Sequence, residues 1–197
     1  YREAGRLTEA ITLYEQVLTD RTRVLGEDHP ATLTSRDNLA YAYREAGRLG
    51  EAITLYEQVL TDRTRVLGED HPDTLTSRHN LAYAYREAGR LTEAITLYEQ
   101  VLTDRTRVLG EDHPATLTSR DNLAYAYREA GRLGEAITLY EQVLTDRTRV
   151  LGEDHPDTLT SRDNLAYAYR EAGRLTKAIA LYEQVLSDRT RVLGEDH

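Results

Sequence analysis

The feature that constrains this chain most is a repeat of 42 residues that runs through the whole sequence. The segment YREAGRL recurs at this spacing without an insertion, starting at Tyr1, Tyr43, Tyr85, Tyr127 and Tyr169. The 197 residues therefore divide into four full units, 1–42, 43–84, 85–126 and 127–168, and a partial unit, 169–197. A period of this size is typical of stacked supersecondary units rather than of one global core. We predict a single domain over 1–197.

Each unit carries the pattern of two helices. The segment between Pro72 and Gly89 has apolar residues at helical spacing, which predicts a first helix over 72–88. A second helix is predicted over 93–109 from the stripe Ala94, Ile95, Tyr98, Val101, Leu102, Val108 and Leu109. Thr8 and Gly50 are the expected N-caps of second helices. Since neither helix buries its stripe alone, we predict an all-α fold, an α-solenoid of antiparallel helix pairs.

Composition excludes several classes of partner. The net charge is -9 and the pI is about 5.2, so the chain lacks the basic footprint that nucleic acid or an anionic membrane requires. It has no cysteine, which removes disulfides and thiolate metal sites. No apolar run approaches the roughly 18 residues of a membrane span, and no stretch shows the order of basic, apolar and small residues that marks a signal peptide. We predict a cytoplasmic protein.

Motifs for catalysis or cofactor binding are not found in the sequence. It contains no phosphate-binding loop, no two-histidine zinc helix and no nucleophile elbow. Each unit has one histidine before the first helix: His29, His71, His113, His155 and His197. Such histidines lie about 10 Å apart when helices stack at the usual distance, so we assign them a turn or cap role rather than a metal. We predict no cofactor and no enzymatic activity.

The apolar and small residues of the two helices resemble a known repeat family. Leu81, Ala82, Tyr85, Gly89, Ala94 and Tyr98 match the pattern of the tetratricopeptide repeat. The 42-residue unit, longer than the usual 34, and the segment LGEDHPDTLTSRHNLA resemble the subclass of kinesin light chains. Arg78 stands where the usual tryptophan is found. The resemblance implies a right-handed superhelix whose first helices line a concave, peptide-binding groove.

Transferred position by position, the resemblance assigns three sets of residues to the groove. The first set is an asparagine ladder, Asn38, Asn80, Asn122 and Asn164, and the second is Tyr41, Tyr83, Tyr125 and Tyr167. The third set is Asp37, His79, Asp121 and Asp163. An asparagine offers a donor and an acceptor to a peptide backbone, but it can equally bond to a neighbouring repeat. The tyrosines can contact a ligand or pack between first helices.

The charges of these positions favour a basic or mixed peptide. A clamp for carboxylates needs lysine or arginine in the groove, and Asp37, Asn38 and Tyr41 occupy the matching positions. His79 replaces the aspartate that the other units carry there and adds a group that titrates near pH 6.5. We interpret it as drift on a tolerant surface.

The leading prediction is a protein-protein interaction scaffold that performs no chemistry. One alternative is head-to-tail self-assembly, because Tyr1 lies inside a first helix, the chain ends at His197, and neither end has a polar capping helix. Another is a sensor repeat region cut from a nucleotide-dependent regulatory switch protein. Only sequence upstream of Tyr1 can test that last alternative.

Overall fold

The computed structural model describes the backbone of residues 2–193 and the side chains of residues 6–188 and 190. These residues form nine α-helices and no strand: α1 (Arg2–Leu25), α2 (Pro30–Glu45), α3 (Leu49–Leu67), α4 (Pro72–Glu87), α5 (Leu91–Leu109), α6 (Pro114–Glu129), α7 (Leu133–Leu151), α8 (Pro156–Glu171) and α9 (Leu175–Leu193). The even-numbered helices are the predicted first helices, and the odd-numbered helices are the second helices. Both predicted helices are confirmed to within two residues at each boundary.

A histidine side chain caps each first helix. In α4, the Nδ1 atom of His71 accepts a hydrogen bond from the backbone N–H of Asp73 at 3.1 Å, and Pro72 occupies the first turn, where no N–H is needed. His29, His113 and His155 make the same bond in their units. The predicted cap role is therefore confirmed for these four residues, while His197 lies outside the described residues.

A glycine ends each first helix in a left-handed turn. Gly89 has φ = +72°, and its N–H donates to the carbonyl of Arg86. The N–H of Arg90 donates to the carbonyl of Tyr85 at 2.9 Å, which completes a Schellman motif. This turn confirms the predicted helix end and directs the chain into the second helix after only three residues.

The predicted N-caps of the second helices are wrong. Helix α3 begins at Leu49 with Arg48 as its N-cap, and α1 already includes Thr8. The left-handed Gly47 and the following Arg48 complete the turn, so the helix starts one residue before Gly50. Gly50 therefore lies inside the first turn of α3, where a glycine costs backbone entropy.

Replacing Gly50 or Gly134 with alanine is expected to raise the free energy of unfolding by about 0.5–1 kcal/mol at each site. Both glycines are helical, and an added Cβ meets no atom within 4 Å. Urea denaturation measures the change. Gly47→Ala is the control: it also has room for a Cβ but has φ = +73°, so we expect it to be destabilising. Stabilisation by Gly47→Ala as well would contradict the assigned helix start.

The chain divides into two compact units, 1–104 and 105–197. In the first unit α1 packs on α2, α2 on α3 and α3 on α4; in the second unit α6 packs on α7, α7 on α8 and α8 on α9. Short connections make such sequential neighbours antiparallel. The all-α solenoid is thereby confirmed, whereas the hand of the superhelix and the assignment of 1–197 to one domain stay predictions.

The core of each unit lies between first and second helices. Tyr56 and Val59 of α3 and Leu33 of α2 are fully buried in the first unit, and Tyr140, Val143 and Leu117 are their counterparts in the second. The predicted stripe of the second helix is buried at Ala94, Ile95, Tyr98 and Val101 and half-buried at Leu102 and Leu109. Val108, also in the predicted stripe, is exposed.

Candidate functional site

The predicted site residues lie on one face of the first helices, which we call the first-helix face. In the first unit, α2 and α4 provide this face with Asp37, Asn38, Tyr41, His79, Asn80 and Tyr83. In the second unit, α6 and α8 provide Asp121, Asn122, Tyr125, Asp163, Asn164 and Tyr167. Each residue type therefore recurs on adjacent first helices within a unit, except that His79 takes the place of an aspartate.

Arginine side chains are stacked between the predicted tyrosines. The guanidinium carbon of Arg44 lies 4.6 Å from the ring centroids of both Tyr41 and Tyr83. Arg86 covers the ring of Tyr83 from 4.3 Å. We call this arrangement the Tyr–Arg stack. A planar guanidinium held between two rings gains cation–π and stacking interactions that a lysine ammonium does not match.

The second unit repeats the Tyr–Arg stack. Arg128 lies 4.3 Å from the ring centroid of Tyr125 and 4.5 Å from that of Tyr167, and Arg170 covers Tyr167 from 4.3 Å. In the described part of the chain, the hydroxyls of Tyr41, Tyr83 and Tyr167 make no hydrogen bond to protein. The stack therefore fixes the rings and leaves these hydroxyls available to another molecule.

The arginine of the stack neutralises nearby carboxylates without being exposed itself. Arg44 donates to Glu45 at 2.8 Å and pairs with Glu87 at 3.4 Å. Its side chain is only 12% exposed, against 44% for Glu45 and 34% for Glu87. Solvent, and any ligand approaching through it, therefore meets carboxylates more readily than guanidinium groups.

Asp37 and Asn80 form a second interaction between adjacent first helices. The amide nitrogen of Asn80 donates to the two carboxylate oxygens of Asp37 at 3.5 and 3.4 Å. Burial raises the pKa of Asp37, while the nearby Arg63 and the hydrogen bond from Asn80 act in the opposite direction. Asn164 makes the same bond to Asp121, and burial likewise raises the pKa of that carboxyl.

The asparagines thus differ in their surroundings. Asn80 and Asn164 use their amide nitrogens within the protein, which is one of the two alternatives that the sequence left open. Their Oδ1 atoms accept no hydrogen bond from the described residues. Asn38 is exposed, and neither end of its amide is bonded within that part of the chain. Ligand binding by the ladder stays a prediction.

Sequence reasoning missed the arginines that lie beneath this face. Arg63 is 5% exposed, and its Nη1 donates to the Oγ of Ser77 at 2.7 Å and to the carbonyl of Asp73 at 3.4 Å. Its Nη1 also lies 3.9 Å from Asp37. Arg105 and Arg147 are buried in the same way and donate to Ser119 and Ser161. These arginines anchor each second helix to the first helix that follows it.

The interpretation of His79 as drift assumed that this residue lies on an exposed surface. The structure shows that it does not. Its side chain is half-buried, and its ring meets the ring of Tyr98 edge-on with centroids 5.5 Å apart. The histidine therefore takes part in packing between α4 and α5. A role in ligand preference stays a prediction.

The described residues show neither a cluster of metal ligands nor a membrane-spanning helix. No three histidine, aspartate or glutamate side chains there come close enough to hold a metal ion. None of the helices in that part of the chain has the length and apolar character needed to span a bilayer.

Several apolar residues of α1 and α9 are exposed although their equivalents in other units are buried. Val17 and Tyr14 are exposed where Val59 and Tyr56 are fully buried, and Ile179 is exposed where Ile137 is buried. Head-to-tail association of copies stays a prediction.

The comparisons with known proteins agree with this geometry. The family model described as "Tetratricopeptide repeat" matches four overlapping stretches, residues 1–63, 38–105, 79–148 and 122–191. The chain is thus a solenoid built from repeated helix pairs. It belongs to the tetratricopeptide repeat family. The search of curated protein sequences found no match.

Solved structures of the same type are similar over the whole chain. A kinesin-light-chain-type protein of Podosopora anserina with nearly identical TPR-like repeats is 38% identical, with a TM-score of 0.86, over 97% of this chain and 90% of that one. A point variant of that protein is 37% identical, with a TM-score of 0.88, over 98% and 91%. BtubC (BKLC) from P. vanneervenii, 23% identical with a TM-score of 0.84 over 100% and 78%, shares the fold. The resemblance to long, kinesin-light-chain-like repeats is confirmed.

Proposed function

We propose that this chain is a protein-interaction scaffold and that the first-helix face binds a peptide or a partner domain without chemistry. Membership of the tetratricopeptide repeat family supports the general role. The observation that carries the site is the Tyr–Arg stack, which holds tyrosine rings in fixed positions and leaves their hydroxyls unbonded in Tyr41, Tyr83 and Tyr167. Rigid aromatic groups of this kind bind at a low cost in side-chain entropy.

Polar groups beside the stack suit an extended peptide. The exposed amide of Asn38 and the Oδ1 atoms of Asn80 and Asn164 can meet backbone N–H and C=O groups. These groups recognise the peptide bond itself and are indifferent to the side chains that it carries. Side-chain preference then depends on the charges around the stack.

The exposed carboxylates favour a ligand of basic or mixed charge. Glu45 and Glu87 are more exposed than Arg44, whose charge is covered by two rings. Glu129 and Glu171 occupy the equivalent positions of the second unit and are exposed as well. Attraction between such exposed groups and a basic ligand weakens as the salt concentration rises.

We expect peptides selected from a random display library on this chain to bind at least about tenfold more weakly when four hydroxyls are removed. The variant replaces Tyr41, Tyr83, Tyr125 and Tyr167 with phenylalanine. Phenylalanine keeps a ring beneath each arginine, so the fold and the stack are retained while the hydroxyls are lost. Fluorescence anisotropy with the selected peptides measures the affinity.

The matched control replaces Tyr43, Tyr85, Tyr127 and Tyr169 with phenylalanine. Tyr43 and Tyr85 point to the second helices, where their hydroxyls donate to Glu15 and Glu57. A second variant, with Asn38, Asn80, Asn122 and Asn164 replaced by alanine, tests the ladder. Equal binding by the first-helix tyrosine variant and by wild type would rule out the first-helix face as the peptide site.

A further inference from the structure

A different surface carries a second site. Three crevices of the same construction open on the second helices, with volumes of 640, 520 and 510 Å³. The second of them is lined by Glu69 of the loop, Arg78 of the first helix, and Glu99, Gln100 and Asp104 of the second helix. The first and second crevices lie in the first compact unit, and the third lies in the second unit.

The arginine of each crevice is already neutralised. Arg36 pairs with Asp62 at 2.5 Å, and Arg78 and Arg120 pair in the same way with Asp104 and Asp146. The loop glutamates, Glu27, Glu69 and Glu111, are exposed and form no ion pair with any described residue. The loop glutamates therefore leave a negative charge in each crevice. Glu57 and Glu141 of the second helices form no ion pair with any described residue and add another in the first and third crevices.

The threonine and glutamate side chains of the crevices present acceptors. The hydroxyls of Thr54 and Thr61 donate to the carbonyls of Gly50 and Glu57 within their own helix, so only their lone pairs face outwards. Glu57 accepts from the hydroxyl of Tyr85 at 2.5 Å, which fixes the direction of the carboxylate. Threonines and tyrosines repeat this arrangement in the third crevice.

From these observations we propose that the second-helix crevices bind the cationic side chains, arginine or lysine, of a partner protein. Guanidinium and ammonium groups consist of donors only, and they complement these acceptors and the unpaired negative charge of the loop glutamates. A metal ion fits poorly, because no three ligating side chains among the described residues converge.

The repeat also sets the spacing of the partner's cations. Packed helices lie roughly 10 Å apart, and one repeat displaces each crevice by a spacing of that order. Two neighbouring crevices, such as those at Glu27 and Glu69, therefore accept cations separated by about 10 Å. This matches every third residue of an extended segment or every seventh residue of a helix.

The test measures binding of three labelled peptides to the full chain by fluorescence anisotropy. One has arginine at every third position in a glycine–serine background, one has arginine at every seventh position in an alanine–glutamine helix, and one has the same arginines adjacent. We expect at least one spaced peptide to bind more tightly than the adjacent one. The variant Glu27→Gln, Glu69→Gln, Glu111→Gln is expected to weaken that binding by about tenfold.

The control variant Glu51→Gln, Glu93→Gln, Glu135→Gln changes the net charge by the same amount at exposed positions that belong to neither proposed site. It is expected to change the affinity less than about twofold. Equal weakening in both variants would mean that net charge alone, and not the crevices, determines the affinity, and it would overturn the proposal. Weakening in the control variant alone, no binding of either spaced peptide, or equal binding of the adjacent peptide would overturn it too. The variant with phenylalanine at the four tyrosines of the first-helix face is expected to bind the arginine peptides as wild type does. The experiments can therefore overturn one proposed site without the other.

Discussion

Replacing Arg63 with methionine is expected to lower the free energy of unfolding by about 3 kcal/mol, because a half-buried carboxylate loses its cationic partner and a buried hydroxyl loses a charged donor. Arg63 lies between α2, α3 and α4, where it bonds to Ser77 and faces Asp37. Methionine fills much of the space of the arginine stem but offers no donor. Urea denaturation monitored by circular dichroism gives the change.

The same helix provides the control. Arg65 pairs with Asp28 and Asp62, but its side chain is 56% exposed. Ion pairs in such surroundings contribute about 0–1 kcal/mol, so Arg65→Met is expected to lower stability by less than about 1 kcal/mol. Arg147→Met and Arg149→Met repeat the comparison in the second unit. Similar effects of Arg63→Met and Arg65→Met would contradict an anchoring role for the buried arginine.

The pH dependence of the stability lost in Arg63→Met distinguishes a lost charge interaction from lost packing. Burial raises the pKa of Asp37, so the folded state binds more protons than the unfolded state between about 3.8 and the raised value. This carboxyl therefore lowers stability as the pH rises through that window. Arg63 opposes the shift at Asp37. The penalty of Arg63→Met should accordingly be smaller near pH 4, where more of Asp37 is protonated, than at pH 7. A penalty that does not change with pH would indicate lost packing alone.

The parts of the fold that depend on local sequence could be predicted. The 42-residue period defines the repeated helix pair. Pro72 and Gly89 mark the two ends of the first helix, because each residue acts on backbone geometry within one turn. The cap role of His71 follows from its position directly before that proline. The start of the second helix was misplaced because glycine and threonine are good N-caps in general, whereas here the Schellman turn has already used the two residues before Leu49.

The interactions that join the helices could not be predicted from the polarity of the residues. Arginine has an apolar stem and a charged end, so a helical pattern assigns it to the surface whether it is exposed or buried. A usable signal was nevertheless present: Arg63 follows Tyr56 and Val59 at spacings of seven and four, on the buried stripe of α3. The stack of Arg44 between Tyr41 and Tyr83 gives no such signal, because it joins residues of two different repeats.

Replacing Arg44 with lysine is expected to lower the free energy of unfolding by about 2 kcal/mol, although the charge is kept. A desolvated guanidinium over aromatic rings contributes about 2 kcal/mol, and the stacking of its plane on Tyr41 and Tyr83 has no counterpart in an ammonium group. Arg128→Lys should have the same effect in the second unit. Chemical denaturation of each variant checks the stability.

Arg48→Lys separates stacking between two rings from an ordinary surface contact. Arg48 covers only the ring of Tyr43, at 4.3 Å, and is 44% exposed, so we expect a change within about 0.5 kcal/mol. If the Tyr–Arg stack also orients the tyrosines of the proposed binding face, Arg44→Lys weakens peptide binding at the first-helix face and leaves binding of the arginine peptides to the crevices unchanged. A stable Arg44→Lys variant with wild-type peptide affinity would mean that the tyrosines are held by their own helices, and that the arginines serve only to balance Glu45 and Glu87.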